Sequence, residues 1–307
     1  MVPYLKQLLR GGTGNQTASG IGLGLLSGAA TGSAFIFSKV IQQELSTSVF
    51  ALFWFGLAGL YGLISHLYTT QGKALPHIPR RTWLFLLGIA VVNGIRGLAQ
   101  HSAVSLSDPS LVSFLSRFTT VHALLLSVII LHERLSRTAL SGSLLVVMGA
   151  LAINYTSATI DGTVVLLMII ATLAEASDII LAKVTGQTAP PTLMVAVRGL
   201  GTAAFAALLI PINGQWQWPS VHALLMLFIG AAISPFAGFF ARYQGLRFVN
   251  AWVMGVLIAI QPLFTTLYSA IFLGELPDIL ALLGGLLLTG GVIVIIASTA
   301  RSAQEQT

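Results

Sequence analysis

The chain contains no cysteine. That excludes disulfides, a thiolate metal site and a cysteine nucleophile. Charge is scarce too: Asp, Glu, Lys and Arg make up 8% of its 307 residues, against about 25% in soluble domains. No connection between its apolar runs is long enough to hold a separate soluble domain. There is no Gly-x4-Gly-Lys-Ser/Thr loop to grip phosphates, so the chain is not an ATPase subunit by itself. His132–Glu133 opens no H-E-x-x-H pair, because the residue four on is Ser136, and no Gly-x-Ser-x-Gly nucleophile elbow occurs. We therefore expect neither an enzyme nor a bound metal or cofactor. What is abundant is apolar: 55% of residues are hydrophobic and the mean hydropathy is +0.89. A net charge of +6 and a pI near 10.0 do not point to nucleic acid, because the basic residues sit in short loops between apolar runs. The chain reads as an all-α polytopic membrane protein whose partner is the lipid bilayer.

A span needs about 20 predominantly apolar residues. Ten fit: 20–40, 48–67, 83–103, 109–131, 137–155, 163–184, 192–211, 221–243, 250–272 and 278–298. All should be helices, since an open sheet edge does not survive in lipid. Lys6, Arg10, Lys73, Arg80, Arg81, Arg134, Arg137, Lys183, Arg242, Arg247 and Arg301 fall in alternate loops or at their edges. Those loops, and both termini, are expected in the cytoplasm. The opposite loops hold Glu44, Asp108, Asp161, Glu275 and Asp278, and only Lys39 breaks the pattern. Residues 1–19 and 299–307 read as cytoplasmic segments. Without an organelle-type leader, a bacterial inner membrane is the expected location. A cleaved signal is not expected, because the run after Lys6 and Arg10 is Gly-rich and belongs to the repeat that follows. Trp83, Trp216 and Trp218 lie at span ends, as interfacial anchors do. Asp108 and Asn250 stand where they can cap the fourth and ninth helices, and Pro109 and Pro277 suit first turns.

The chain writes one pattern twice. Leu131–Ile153 and Leu273–Ile295 align at an offset of 142, matching Glu133 with Glu275, Gly142 with Gly284 and Gly149 with Gly291. Residues 27–40 align with 171–184 at an offset of 144, matching Ser33 with Ser177 and Lys39 with Lys183. The two copies, 20–155 and 162–298, hold five spans each. Five is odd, so the second copy enters from the opposite side, the inverted-repeat plan of many secondary transporters. Each matched glutamate is expected to face the positive N-terminal end of the last helix of its own repeat. Gly142 and Gly149 share a helix face and, like their mates, predict close helix packing inside the chain. A homodimer contact is the competing use of that face.

Five ionisable residues lie deep in spans: Arg96, Arg117, Glu175, Asp178 and Arg198. Each costs about 2.5–3.5 kcal/mol at a helix centre, so they must pair or line a watery cavity. Arg96 and Arg117 reach similar depth in the outer half and call for an anion, such as a substrate carboxylate or phosphate. Asp178 and Arg198 are expected to pair. That leaves Glu175 without a partner and makes it the candidate proton carrier. Lys39 and Lys183, as symmetry mates near the two ends, join Glu175, Asp178 and Arg198 as coupling or gating candidates. Asn93, Gln100, His101, His122, Tyr243, Trp252, Gln261 and Tyr268 supply further polar or aromatic groups, and Pro262 should bend the ninth helix or free a carbonyl there.

Small residues with Phe-x-x-x-Lys in the first helix, an Asp- or Asn-capped fourth or ninth helix, and a Gly-rich last helix resemble the drug/metabolite transporter superfamily, EamA type. Residues 243–277, with Pro262 inside a helix, carry the resemblance most closely. The chain departs at Thr31, where Trp is common, at Thr120, where the in-helix Pro of the ninth span has its mate, and at Trp54, where Arg is common; Arg198 keeps that Arg in the second copy. The resemblance implies a central cavity lined by the first, third, fourth, sixth, eighth and ninth helices. It makes Gln100, Gln261 and Trp252 contacts, beside Arg96, Arg117 and Tyr243, for a small-molecule substrate. It further implies an exporter; the mixed basic and acidic residues lean toward an amino acid or another zwitterion or an organic anion as substrate, and the two inverted halves toward alternating access around a midplane site. A transporter of lipid or hydrophobic drugs, or a small channel, is the alternative.

Overall fold

The computed structural model describes residues 14–70, 78–106, 112, 115–133, 136–153, 161–213, 216–274 and 279–304. Lys6, Arg10, Lys73, Asp108, Pro109, Arg134, Glu275, Pro277 and Asp278 lie outside the described residues, as do the side chains of His101 and Arg301. Among the described residues all regular structure is helical. Seven helices are long and apolar enough to cross a membrane: α1 (Asn15–Ile41), α2 (Thr47–Thr70), α3 (Arg80–Gln100, continuing to Leu106), α6 (Gly162–Thr185), α7 (Pro191–Ile212), α8 (Val221–Gly245) and α9 (Ala251–Leu273). Three helices with shorter apolar stretches join them: α4 (Phe118–Leu131), α5 (Arg137–Ile153) and α10 (Ile279–Gln304, apolar over Leu282–Ser298).

The packing repeats with the sequence. α2 lies along α7 and α5 along α10, while α1 packs on α8 as α3 packs on α6. Exchanging the two copies maps this set of pairs onto itself, as a two-fold relation requires. The glycines give its direction. Gly142 approaches the backbone of Gly291, and Gly149 that of Gly284 and Leu288. In α2, Gly59 meets Gly199 and Leu200, and Gly62 meets Ala196. Early residues of one helix thus meet late residues of its mate, so repeat-mate helices run antiparallel. A Cβ at Gly149 would lie 2.5 Å from the Gly284 carbonyl oxygen, so the matched small faces serve packing within the chain. A second stripe, Gly24, Gly28 and Gly32 of α1, meets Leu257, Ile260 and Phe264 of α9. Spacing of four puts all three on one helix face, and this brings α1 hard against α9.

The helices that border the core are irregular. In α8 a wide turn spans Ala232–Gly238 around Pro235. Proline has no N–H for the regular ladder, and a π turn is one local answer. In α9 the freed carbonyl ahead of Pro262 is met by tightening instead: Ile258–Ile260 is a 3-10 turn, and Gln261 N–H donates to the Ile258 oxygen. Leu60, Ile64, Leu67, Leu84, Leu87, Leu208, Ile229 and Leu286 stand exposed on the outside, the surface lipid covers. Trp83, Trp216 and Trp218 are exposed at helix ends or connections. Gln217 beside them accepts from Ser46 N–H at 2.8 Å, tying the α7–α8 connection to the start of α2.

Candidate functional site

A cavity of about 660 Å³ lies inside the bundle, lined by α1, α2, α3, α4, α6, α7, α8 and α9. That size suits a small molecule. Its lining reaches Gln42, Ser46 and Thr47 in the α1–α2 turn, where Gln42 is exposed. The opposite end of α1 is packed at Gly20 against Phe248 and Val249. The cavity is therefore reached from the Gln42 end of the bundle.

Four arginines line it: Arg96, Arg117, Arg198 and Arg242. Glu175 stands among them. Its Oε1 is 3.4 Å from Arg242 Nη1 and its Oε2 is 4.0 Å from Arg96 Nη1. Arg96 also donates to Gln100 Oε1 at 3.0 Å, a pair set by the four-residue spacing along α3. Arg117 donates to Ser116 Oγ at 2.7 Å. Arg198 is 1% exposed, and its guanidinium carbon rests 3.4 Å from the centre of the Phe239 ring and 5.5 Å from that of Phe55. Arg242 stacks on the same Phe239 at 4.1 Å. One aromatic ring therefore carries two cations. Gln261 lines the wall and donates to the Thr31 carbonyl at 3.3 Å. Phe35, Phe50, Trp54 and Phe55 make the remainder partly apolar.

Six sequence candidates thus meet at the cavity: Arg96, Gln100, Arg117, Glu175, Arg198 and Gln261. Other expectations are corrected. Glu175 is not partnerless, because α8 brings Arg242 to it. Asp178 does not pair with Arg198. It accepts from Asn93 Nδ2 at 2.9 Å and Tyr243 Oη at 3.0 Å, behind the cavity wall. Tyr243 is consumed by that contact and is fully buried, so it does not line the cavity. Trp252 is buried at the far end of α9, also away from the lining. Arg242, read as a loop charge, is 2% exposed inside α8. Its nearness to Arg247 and the end of the apolar run hid it; its place seven residues after Pro235 and seven before Val249 is the signal that it still belongs to the helix.

The end away from Gln42 is shut by a second set of charges. Lys183 Nζ donates to the carbonyls of Leu246 at 2.7 Å and Val249 at 2.6 Å. Arg247 reaches back to the carbonyls of Gly186 at 2.8 Å and Ala189 at 3.2 Å. Glu133 accepts from the N–H groups of Ala251 at 2.9 Å and Trp252 at 3.3 Å. Two expectations change here. Glu133 caps α9 of the other copy, not the last helix of its own. Asn250 holds the N-cap position, but its side chain makes no cap bond, and Glu133 takes that role. Burial pushes the Glu133 carboxyl above the usual carboxylate range; the Ala251 N–H, the Lys183 ammonium and the Trp252 N–H pull it back. Lys183 is thus a turn-locking residue in this conformation. Its mate Lys39 is exposed at the other end of the bundle and does not line the cavity.

No cluster of His, Asp and Glu among the described residues could hold a metal ion. A crystal structure of a protein superposes with a TM-score of 0.79 over 93% of this chain and 98% of its own, at 18% identity. At that identity the likeness speaks for the fold. The model of the EamA-like transporter family matches residues 18–155 and again residues 162–297. Two copies of one membrane-transporter unit, packed antiparallel around a cation-lined cavity, therefore make this chain a member of the EamA-like transporter family.

Proposed function

We propose that the chain is a secondary transporter that moves a small polar or amphipathic metabolite, such as an amino acid or organic anion, in the direction of export. The observation that carries this reading is a cavity of about 660 Å³ with arginines on its wall, reached from one end of the bundle and shut at the other. In a ten-span arrangement with both termini in the cytoplasm of a bacterial inner membrane, the Gln42 end faces outward and the Glu133–Lys183 end faces inward. Alternating access then exchanges the two ends around the cavity, as inverted repeats allow. We assign Glu175 to the counter-charge of the arginines rather than to a proton relay, since Arg242 and Arg96 flank it. Exchange or facilitated movement needs no covalent step, and the chain is read as a carrier rather than an enzyme. The test is counterflow in liposomes holding the purified chain, run with amino acids, organic acids and phosphorylated metabolites. Saturable counterflow of any of them supports the carrier. Leakage of all of them at rates linear in concentration indicates a channel, and uptake restricted to lipids or apolar drugs replaces the polar-metabolite reading.

A further inference from the structure

We propose, resting on the transporter reading above, that Gly97 sets the size of an apolar arm that the transported molecule places in a cleft between α2, α3 and α7. The first ground is the helix interface. Ala90, Gly94 and Gly97 share one face of α3, and Gly201, Phe205 and Leu209 share one face of α7, by spacings of three and four. The two faces close in step. A Cβ at Gly201 would strike Ala90, and one at Gly94 would strike the ring of Phe205. One step further along, the contact stops. A Cβ at Gly97 would meet nothing within 4 Å among the described residues.

The second ground is where that gap leads. Gly97, Leu98, Leu209, Ser48 and Phe55 line the cavity and also a cleft of about 20 Å³ beside it. Ala51, Phe205 and Ala206 close the cleft with carbon. Ser48 and Thr202 supply its hydroxyls, and that of Thr202 donates to the Arg198 carbonyl at 2.9 Å. Such a surface takes an alkyl group in preference to a polar one. One water-sized sphere occupies about 10–15 Å³, so the cleft holds about one or two carbon atoms of an arm. Phe55 joins it to the polar wall: the Arg198 guanidinium lies 5.5 Å from the Phe55 ring centre. A molecule with a polar end near Arg198 and a short apolar arm fits both at once.

The third ground is the glycine itself. Inside a helix glycine is less favourable than alanine. Close approach of a neighbour accounts for Gly94, as it does for Gly59 and Gly149. Nothing crowds Gly97, so packing does not account for it, and the volume it leaves beside the cavity does. Gly22 and Gly290 are equally uncrowded, but Gly97 is the one glycine among the described lining residues.

The experiment uses the purified full chain in liposomes and reads counterflow of two graded series. One is alanine, 2-aminobutyrate, norvaline and norleucine; the other is lactate, 2-hydroxybutyrate, 2-hydroxyvalerate and 2-hydroxycaproate. In whichever series it carries, the wild type should show a sharp limit of arm length. Gly97→Ala should cut counterflow of the longest accepted arm relative to the shortest by about tenfold, as one methylene does in an apolar pocket. Leu209→Ala should extend the limit by one carbon. In detergent, Gly97→Ala should melt like the wild type, because its Cβ touches nothing, whereas Gly94→Ala should melt lower. The chain has no cysteine, so Gly97→Cys carries a single thiol. A water-soluble methanethiosulfonate should label it, and the longest accepted probe should slow the labelling. An unchanged arm-length preference in Gly97→Ala, or a thiol that the reagent does not reach, overturns the cleft and keeps the carrier. A Gly97→Ala chain that melts as low as Gly94→Ala makes Gly97 a packing residue and overturns the cleft too. Counterflow of none of the probes by the wild type overturns the polar-metabolite carrier, and the cleft with it.

Discussion

The protein buries two groups of charges and treats them in opposite ways. At the shut end, Lys183 reaches two carbonyl oxygens and Glu133 two backbone N–H groups, all between 2.6 and 3.3 Å. Every bond there closes one turn, Leu246 to Trp252, between α8 and α9. In the cavity, Arg96, Arg198 and Arg242 each keep a buried Nε without a partner, and the nearest carboxylate is shared at long range. The first group is saturated and local to a joint. The second is left incomplete where a ligand can reach it. Burial alone therefore does not mark a site; incompleteness beside a cavity does.

Four measurements would break or sharpen that contrast. The largest effect is expected for Lys183→Ala. It strands two carbonyls and leaves Glu133 without its neighbouring cation, and should cost about 3–5 kcal/mol, read as a large fall in melting temperature in detergent. Glu133→Ala comes next, at about 1.5–3 kcal/mol for bonds to a charged acceptor. If either melts like wild type, the turn is not locked as described. The third is a pH effect. The Glu133 carboxyl is raised when folded, so its favourable contribution is complete below the unfolded value of 4.5 and is lost as pH rises through the folded value. Stability of the wild type relative to Glu133→Gln should therefore grow as pH falls from neutral toward that value. A difference that shrinks instead would place a stronger partner on Glu133. The smallest stability effect is expected for Arg198→Met. Removing a buried charge that has no hydrogen bond among the described residues should be neutral or stabilising, with no loss in melting temperature. A loss of several kcal/mol would make Arg198 a structural residue.

Much of this was legible in residue order. Glycine and glutamate matches at fixed offsets announced two copies, because such matches are costly to obtain by chance in a Leu-rich chain, and the expectation of an odd number of spans per copy agrees with the antiparallel packing of matched helices. Arg96, Arg117, Glu175 and Arg198 were legible as a site for a simpler reason: each interrupts an apolar run. The failures share another cause. Arg242 lies near the end of its run, where helix and loop look alike. Asp178 has its partners 85 residues away in Asn93 and 65 away in Tyr243. Glu133 caps a helix 118 residues further on. Spacing along one helix cannot reveal a bond made between helices far apart in the chain.

The cavity also carries a consequence of chain fusion. Trp54 and Arg198 occupy matching positions, and both line the cavity. If the same unit assembled as two identical subunits around an axis, whatever stood at one of these positions would stand at the other. Arg198 would bring a twin guanidinium in place of the Trp54 indole, and every ionisable group of the cavity would appear twice. Joining the copies in a single polypeptide releases them from that doubling. One position can then be cationic and its mate aromatic, so a bound molecule is offered two chemically different surroundings and can be held in a single orientation.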